Sequence, residues 1–197
     1  MEISCIILAG GKSSRMKRDK CFIRLRGKPL IYYVIKKVRK FSSDVVVVVK
    51  NEKQKVKFKK EFKKVKVVCD KNKVFSPIAG IKEGVKHIKN EYVLIVACDM
   101  PFLNESSLRE LVNRFEEGVD CISYFWKVGK YEPLCAIYRK KIFEAVDEKK
   151  SLHELIEKCK NRILVPISKE TKEFLNINDK NSLREAKKLI RRRIIKF

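Results

Sequence analysis

No apolar run in this chain of 197 residues approaches the roughly 18 residues that a membrane-spanning helix needs. Its opening, Met1–Leu8, lacks the basic start and long apolar stretch of a secretion signal, so a cytoplasmic protein with no membrane partner is expected. Glycine (7) and proline (5) are sparse and nowhere gather into a linker, and no internal repeat is visible. One domain spanning residues 1–197 is the economical expectation. The seven cysteines, Cys5, Cys21, Cys69, Cys98, Cys121, Cys135 and Cys159, form no C-x-x-C pair and have no His nearby at metal-ligand spacing. That argues against a zinc site and predicts reduced thiols in the core.

Acidic residues are also few, with 24 Asp and Glu against 48 Lys and Arg, a formal charge of +24. The Lys residues are spread through nearly every segment, without the aromatic-studded basic platform of a single-strand binder. The charge therefore reads as solvated surface that also attracts anionic substrates, and no nucleic-acid partner is expected. The 45% hydrophobic content is interleaved with 37% charged residues, enough for one packed core. A Lys- and Glu-rich surface with a single glutamine, Gln54, suits a hot environment.

Ile3–Leu8, Val45–Val49, Val65–Val68 and Tyr92–Ala97 read as strands buried on both faces, as a parallel sheet requires. Between them, Leu30–Phe41, Glu52–Lys63 and Ile78–Ile88 carry helical periodicity. This alternation predicts right-handed βαβ crossovers in an α/β protein with a three-layer α/β/α, Rossmann-like arrangement. Further on, a helix over Asn104–Glu117 is followed by strands at Asp120–Trp126 and Leu134–Tyr138 around the turn-like Val128–Gly129–Lys130, which predicts an antiparallel addition to a mostly parallel sheet. Helices over Lys140–Asp147 and Leu152–Cys159, a strand near Arg162–Ile167 and an amphipathic helix over Asn181–Arg193 complete the expected order.

The strongest chemical signal follows the first strand: Leu8-Ala9-Gly10-Gly11-Lys12-Ser13-Ser14-Arg15-Met16-Lys17-Arg18-Asp19-Lys20. In a parallel sheet, ligands bind beyond the carboxyl ends of the strands, where this loop emerges. Two glycines let backbone N–H groups approach a phosphate or base edge, while Arg15 and Lys20 bring positive charge. A strand-to-helix turn with exposed basic residues would explain the glycines about equally well. The run is neither G-x-x-x-x-G-K-[ST] nor G-x-G-x-x-G, which disfavours a P-loop ATPase and a dinucleotide oxidoreductase.

Leu8 through Lys20, continued by Leu25-Arg26-Gly27-Lys28-Pro29-Leu30, resembles the signature L-A-G-G-x-S-x-R-M-G-x-D-K…L-x-G-x-P-L of the molybdenum cofactor guanylyltransferases. Ser76-Pro77-Ile78-Ala79-Gly80-Ile81, Cys98-Asp99-Met100-Pro101-Phe102 and Asn176-Ile177-Asn178 follow in the family's order, so the resemblance covers essentially the whole chain. Two positions depart from the pattern: Lys17 stands where Gly usually follows Arg-Met, and Ser76 where Gly often precedes Pro.

The resemblance implies a Rossmann-like nucleotidyltransferase that binds GTP with Mg²⁺ and joins GMP to the phosphate of molybdopterin, releasing pyrophosphate. It implies nucleotide contacts from Leu8, Ala9, Gly10, Gly11, Asn51 and Asp70, phosphate contacts from Lys20, and metal binding by Asp99. It further implies molybdopterin or molybdenum cofactor as acceptor, with molybdenum-insertion proteins and apo-molybdoenzymes as partners. Related guanylyl- or cytidylyltransferases acting on another phosphate acceptor, such as phospholactate, share the scaffold; Gly10-Gly11 in place of L-A-A-G argues for guanine. A basic nucleic-acid-binding protein is the alternative from a different class.

Asp99 also stands out without the family, since it follows the run Tyr92–Ala97 at a strand's carboxyl end and Pro101 stops the strand from continuing. A single carboxylate opposite a basic loop suits Mg²⁺, which takes one or two protein carboxylates; a helix cap or turn is the plainer reading. Asn176 and Asn178 flank Ile177, so in extended chain both face the same way, toward the acceptor phosphate or the metal, while Ile177 packs inward. Arg15, Lys20 and Asp99 form the expected catalytic set, acting by positioning and charge neutralisation. Glu132 is a weaker candidate for the pterin side, Trp126 reads as packing, and His87 and His153 read as surface or boundary residues.

Overall fold

The computed structural model describes residues 2–10, 19–70, 76–126, 130–167 and 171–191. Its strands are β1 (Ile3–Leu8), the hairpin β2 (Arg24–Leu25) with β3 (Lys28–Pro29), β4 (Val45–Val49), β5 (Lys66–Cys69), β6 (Tyr92–Ala97), β7 (Cys121–Trp126), β8 (Lys130–Arg139) and β9 (Arg162–Pro166). All except the hairpin join one seven-stranded sheet in the order β5-β4-β1-β6-β8-β7-β9. The strands β5, β4, β1 and β6 run parallel, β8 is antiparallel to both of its neighbours, and β9 returns parallel to β7.

The helices are α1 (Leu30–Val38), α2 (Glu52–Glu61), α3 (Pro77–Val85), α4 (Glu105–Arg114), α5 (Leu152–Lys158) and α6 (Lys180–Arg191). Alternate residues of each central strand serve opposite faces. Val45, Val47 and Val49 pack with Ile31, Phe58 and Leu108 of α1, α2 and α4, whereas Val46 and Val48 pack with Ile78, Ile81 and Ile156 of α3 and α5. Both faces are thus covered, which explains why the strands read as unbroken Val and Ile rather than as alternating apolar and polar residues. A third cluster, Leu25, Leu30, Tyr33, Phe102, Ile177, Ala186 and Leu189, docks α6 and the hairpin beside the sheet.

Local chemistry sets several boundaries. Asn51, Ser76 and Asn104 cap α2, α3 and α4 through side-chain oxygens, and Ser151 with Glu154 forms a capping box on α5. A Cβ at Gly84 would stand 2.8 Å from Ile6 Cδ1, so glycine lets α3 press onto β1. The hairpin turn holds Gly27 at φ 79°, where a residue with a Cβ is strained.

Two expectations are corrected. Lys140–Asp147 is not an α-helix: a 3-10 turn covers Lys140–Phe143, entered directly from extended Arg139 with no side-chain cap. With eight residues and no start signal, the apolar positions Phe143 and Val146 pack beneath the sheet without continuous helix. The second concerns β8, which runs from Lys130 rather than from Leu134, because its first half pairs with the outer part of β7 across a register shift.

Candidate active site

The carboxyl ends of β1, β4, β5 and β6 open at one end of the sheet, with Leu8 paired to Val48 and to Ala97, and Val49 to Cys69. The residues beyond them surround a cavity of about 530 Å³, within the usual range for small-molecule sites. Leu8, Ala9 and Gly10 line it from β1, Lys50 from β4, Asp70 from β5, and Cys98 and Asp99 from β6; Lys20, Asn176 and Asn178 close the ring. Ser76 and Pro77 bring the amino end of α3 to the same cavity, so the positive end of its dipole favours an anion there.

Gly11 and Arg15 lie outside the described residues. The loop that carries them leaves from Ala9 and Gly10 and returns at Asp19, where Lys20–Phe22 form a 3-10 turn. A Cβ at Gly10 would meet Lys50 N at 3.5 Å, an ordinary contact, so packing against Lys50 does not by itself demand a glycine. Both ends of the loop are held by Gln54, whose Nε2 donates to the Ala9 carbonyl at 3.0 Å and to Asp19 Oδ2 at 2.9 Å, while its Oε1 accepts from Lys50 N at 2.9 Å. Gln54 and Phe58 are the buried residues of the Lys-rich α2. Gln54 was visible in the sequence only as the single glutamine; the signal for its role is its place three residues after the Asn51 cap, on the face shared with Phe58.

Lys20 Nζ donates to Asn178 Oδ1 at 2.5 Å and stands 3.6 Å from Asp99 Oδ2. The Asp99 carbonyl accepts from Ile177 N at 3.0 Å, and Ile177 is fully buried, so its neighbours Asn176 and Asn178 are carried to the cavity. Burial pushes the Asp99 carboxyl above the ordinary carboxylate range, and the Lys20 ammonium draws it back. Lys37, in α1, donates to the Pro101 carbonyl at 3.1 Å and so supports the turn that follows Asp99.

Other candidates fall elsewhere. Asn51 is exposed, accepts from Gln54 N at 2.8 Å as the cap of α2, and is not among the cavity-lining residues. Trp126 Nε1 donates to Glu132 Oε1 at 2.5 Å, and its ring meets Phe174 edge-on at 6.0 Å. Glu132 is held above the ordinary range by burial, against the pull of that hydrogen bond. The His87 ring faces Glu83 at 3.3 Å on α3 and its exit, and His153 is exposed on α5 beside Tyr131.

The expectation of uniformly reduced thiols is also corrected. Cys21 and Cys98 are joined by a disulfide with Cα atoms 5.6 Å apart, and both line the cavity. Their separation of 77 residues hid the pair, because topology rather than spacing brings the 3-10 turn against the end of β6.

Chemically, the cavity offers an ammonium and the positive end of a helix dipole for a polyphosphate, with oxygen donors from Asp99 and Asn176 and an Asn178 amide oxygen that already accepts from Lys20. Among the described residues, no three His, Cys, Asp or Glu side chains converge as a metal cage. A single carboxylate with amide oxygens instead matches Mg²⁺, which completes its shell with phosphate and water.

A mostly parallel sheet with a glycine-bearing loop after its first strand and a lysine–aspartate pair across the strand ends defines an α/β domain of the nucleotide-phosphate-binding class. The family model for the MobA-like NTP transferase domain matches residues 5–165. A probable molybdenum cofactor guanylyltransferase of Clostridium perfringens is 34% identical over 188 residues, spanning 89% of this chain and 91% of the relative. A protein of the same name from Thermococcus sibiricus is 37% identical, over 72% and 71% of the two chains. The crystal structure of molybdopterin-guanine dinucleotide biosynthesis protein A from Archaeoglobus fulgidus superposes with a TM-score of 0.79 at 26% identity, covering 96% of this chain and all of that one. This chain belongs to the MobA-like NTP transferase family.

Proposed function

We propose that this chain, acting as one nucleotidyltransferase domain over residues 1–197, moves GMP from GTP to the phosphate of molybdopterin and releases pyrophosphate. The observation that carries the reading is the meeting of Lys20, Asp99 and Asn178 in one cavity beside Ala9 and Gly10, in a chain whose relatives bear that activity in their names. The acceptor phosphate attacks the α-phosphorus of GTP in line, and pyrophosphate is the leaving group. An ionised phosphate needs no protein nucleophile and no obligatory base, so the residues work by position and charge. Lys20 neutralises phosphate oxygens, the amino end of α3 adds the positive end of its dipole, and Ala9 and Gly10 present backbone to the nucleotide. Mg²⁺, when bound, would be held by Asp99, with Asn176 and Asn178 facing the metal or the acceptor phosphate, and would supply charge neutralisation on the triphosphate. Asp70 lines the same cavity, and the nucleotide is its proposed partner.

The surplus of positive charge serves anionic substrates rather than nucleic acid. The cytoplasm is the proposed compartment, with molybdenum-insertion proteins and apo-molybdoenzymes as the proteins that take the product. Among the described residues, no helix is long and apolar enough to cross a membrane.

The test is GMP transfer to molybdopterin, measured beside a thermal-shift panel of GTP, CTP, ATP and UTP with Mg²⁺. A nucleotide at about 100 times its Kd adds roughly 2.7 kcal/mol to native stability. GTP is expected to give the largest shift and molybdopterin to accept GMP. A larger shift with CTP would overturn the guanine assignment, and submicromolar nucleic-acid binding at about 0.15 M salt that competes with GTP would overturn the enzyme reading.

A further inference from the structure

The cysteine directly after Lys20 and the cysteine directly before Asp99 are bonded to each other. Neither bears on the chemistry of phosphate transfer, yet each is adjacent in sequence to a residue assigned to it. We propose that the Cys21–Cys98 disulfide is a redox-dependent brace of the nucleotide site, which holds Lys20 and Asp99 in register when formed and leaves that register to their side-chain contacts alone when reduced. The inference rests on the functional reading given above for this cavity.

Placement makes the argument. Cys21 sits in the 3-10 turn that ends the glycine-bearing loop, and Cys98 is the first residue past the central strand β6. A Cα separation of 5.6 Å lies inside the range a disulfide spans without backbone movement. The bond therefore ties the loop's return to the sheet covalently, beside the contacts that Lys20 makes with Asp99 and Asn178 through one flexible side chain. The other five cysteines stand outside this disulfide, and none lines the cavity. A folded reduced state also has a place for the Cys21 hydrogen: Sγ stands 3.5 Å from the Ala9 carbonyl oxygen, an acceptor for the freed thiol. Reduction thus exchanges a bond to the strand of Asp99 for a weak hydrogen bond to the end of β1.

The bond forms by exchange with a low-molecular-weight disulfide. One of the two sulfurs attacks first, losing its proton to solvent and expelling one thiol. The other then attacks the sulfur so bonded, its proton also leaving, and expels the second thiol. Two protein thiols are oxidised while one external disulfide is reduced to two thiols; a dithiol reverses the exchange.

The experiment uses the full chain, oxidised with a small disulfide or reduced with a dithiol, at a temperature where circular dichroism shows both forms folded. Thiol titration should find five reactive groups in the unfolded oxidised chain and seven in the reduced one. The Kd for Mg²⁺·GTP, measured by calorimetry, should rise about tenfold on reduction, because ordering the site then falls to the ligand. Re-oxidation should restore it, and Cys21→Ser/Cys98→Ser should bind like the reduced wild type with or without dithiol. Seven thiols after oxidation, or equal or tighter binding in the reduced form, would overturn the brace. If neither form binds Mg²⁺·GTP, the functional reading fails on its own. Amide exchange of ligand-free peptides spanning Lys20–Phe22 and Cys98–Asp99 then decides the brace: faster exchange after reduction supports it, and equal exchange refutes it.

Discussion

Lys20 Nζ and Asp99 Oδ2 stand 3.6 Å apart across the cavity, joining the return of the glycine-bearing loop to the end of β6. Both groups are largely withdrawn from solvent, with side chains 17% and 12% exposed, so their charges act in a medium far less screening than water. Each has a second tether: Lys20 reaches Asn178, and the Asp99 backbone receives Ile177. Loop, strand end and the 176–178 segment therefore meet at one ion pair.

Asp99→Asn keeps the size of the side chain and removes the charge proposed to recruit the metal. A loss near 4 kcal/mol of transition-state stabilisation is expected, about a thousandfold in rate. Apo stability should not fall at neutral pH, because burial disfavours the carboxylate and the amide escapes that cost. A cap-or-turn role predicts the reverse, about 1 kcal/mol of stability lost with turnover nearly intact. GMP transfer and apo melting in the same variant separate the two; retention of more than about a tenth of wild-type turnover at saturating Mg²⁺ would sink the metal role.

Lys20→Met tests the electrostatic link. The ammonium is what draws the Asp99 carboxyl down against burial, so its removal should let that carboxyl rise further. Since the ionised form is the one that holds Mg²⁺, the acid limb of Mg²⁺·GTP affinity should shift to higher pH, beyond any uniform loss of affinity. Calorimetric titrations across the acid range check this, and an unmoved limb would show that Lys20 acts on phosphate alone.

Much of this arrangement was legible in the sequence, because a strand buried on both faces writes an apolar run and a cap writes Asn or Ser. β1, β4 and β6 fall at their expected residues, and Ile177 is buried between Asn176 and Asn178. The failures share a physical cause. Lys140–Asp147 has helical periodicity without a start signal, and tertiary packing settled it as a 3-10 turn. The Cys21–Cys98 bond and the Gln54 contacts join residues 77 and up to 45 positions apart, which local pattern does not encode.

Lys37 makes stability depend on alkaline pH. Burial, aided by the neighbouring Lys36, brings its ammonium from the ordinary 10.5 to about 8 in the folded protein. Between those values the unfolded chain holds a proton that the native state has released, so stability rises with pH across that window. Lys37→Met removes this contribution, and melts at pH values on either side of the window should show the variant's advantage over wild type shrinking as pH rises. A constant difference would exclude Lys37 as the source.

Gln54→Met is the sharpest test of how the loop is held. The substitution keeps the length and apolar fit of the side chain but withdraws two donor contacts and one acceptor, leaving the Ala9 carbonyl, the Asp19 carboxylate and Lys50 N without that partner. Each buried group left unpaired costs about 1–3 kcal/mol, so a stability loss of about 2 kcal/mol is expected after relaxation and water entry. Because Ala9 and Asp19 are the two ends of the nucleotide loop, KM for GTP should rise about tenfold while kcat changes less, as expected when ground-state and transition-state binding weaken together. Gln54→Glu makes the distinction firmer, since it preserves the acceptor for Lys50 N but sets a second carboxylate against Asp19 Oδ2, where the amide donates at 2.9 Å. Like charges at that distance push the loop's return away, so Glu should raise KM more than Met although it is closer to Gln in shape. Steady-state kinetics well below both melting temperatures checks the order. If both variants lose stability but keep the wild-type KM, Gln54 holds the fold alone and the loop ends are set elsewhere.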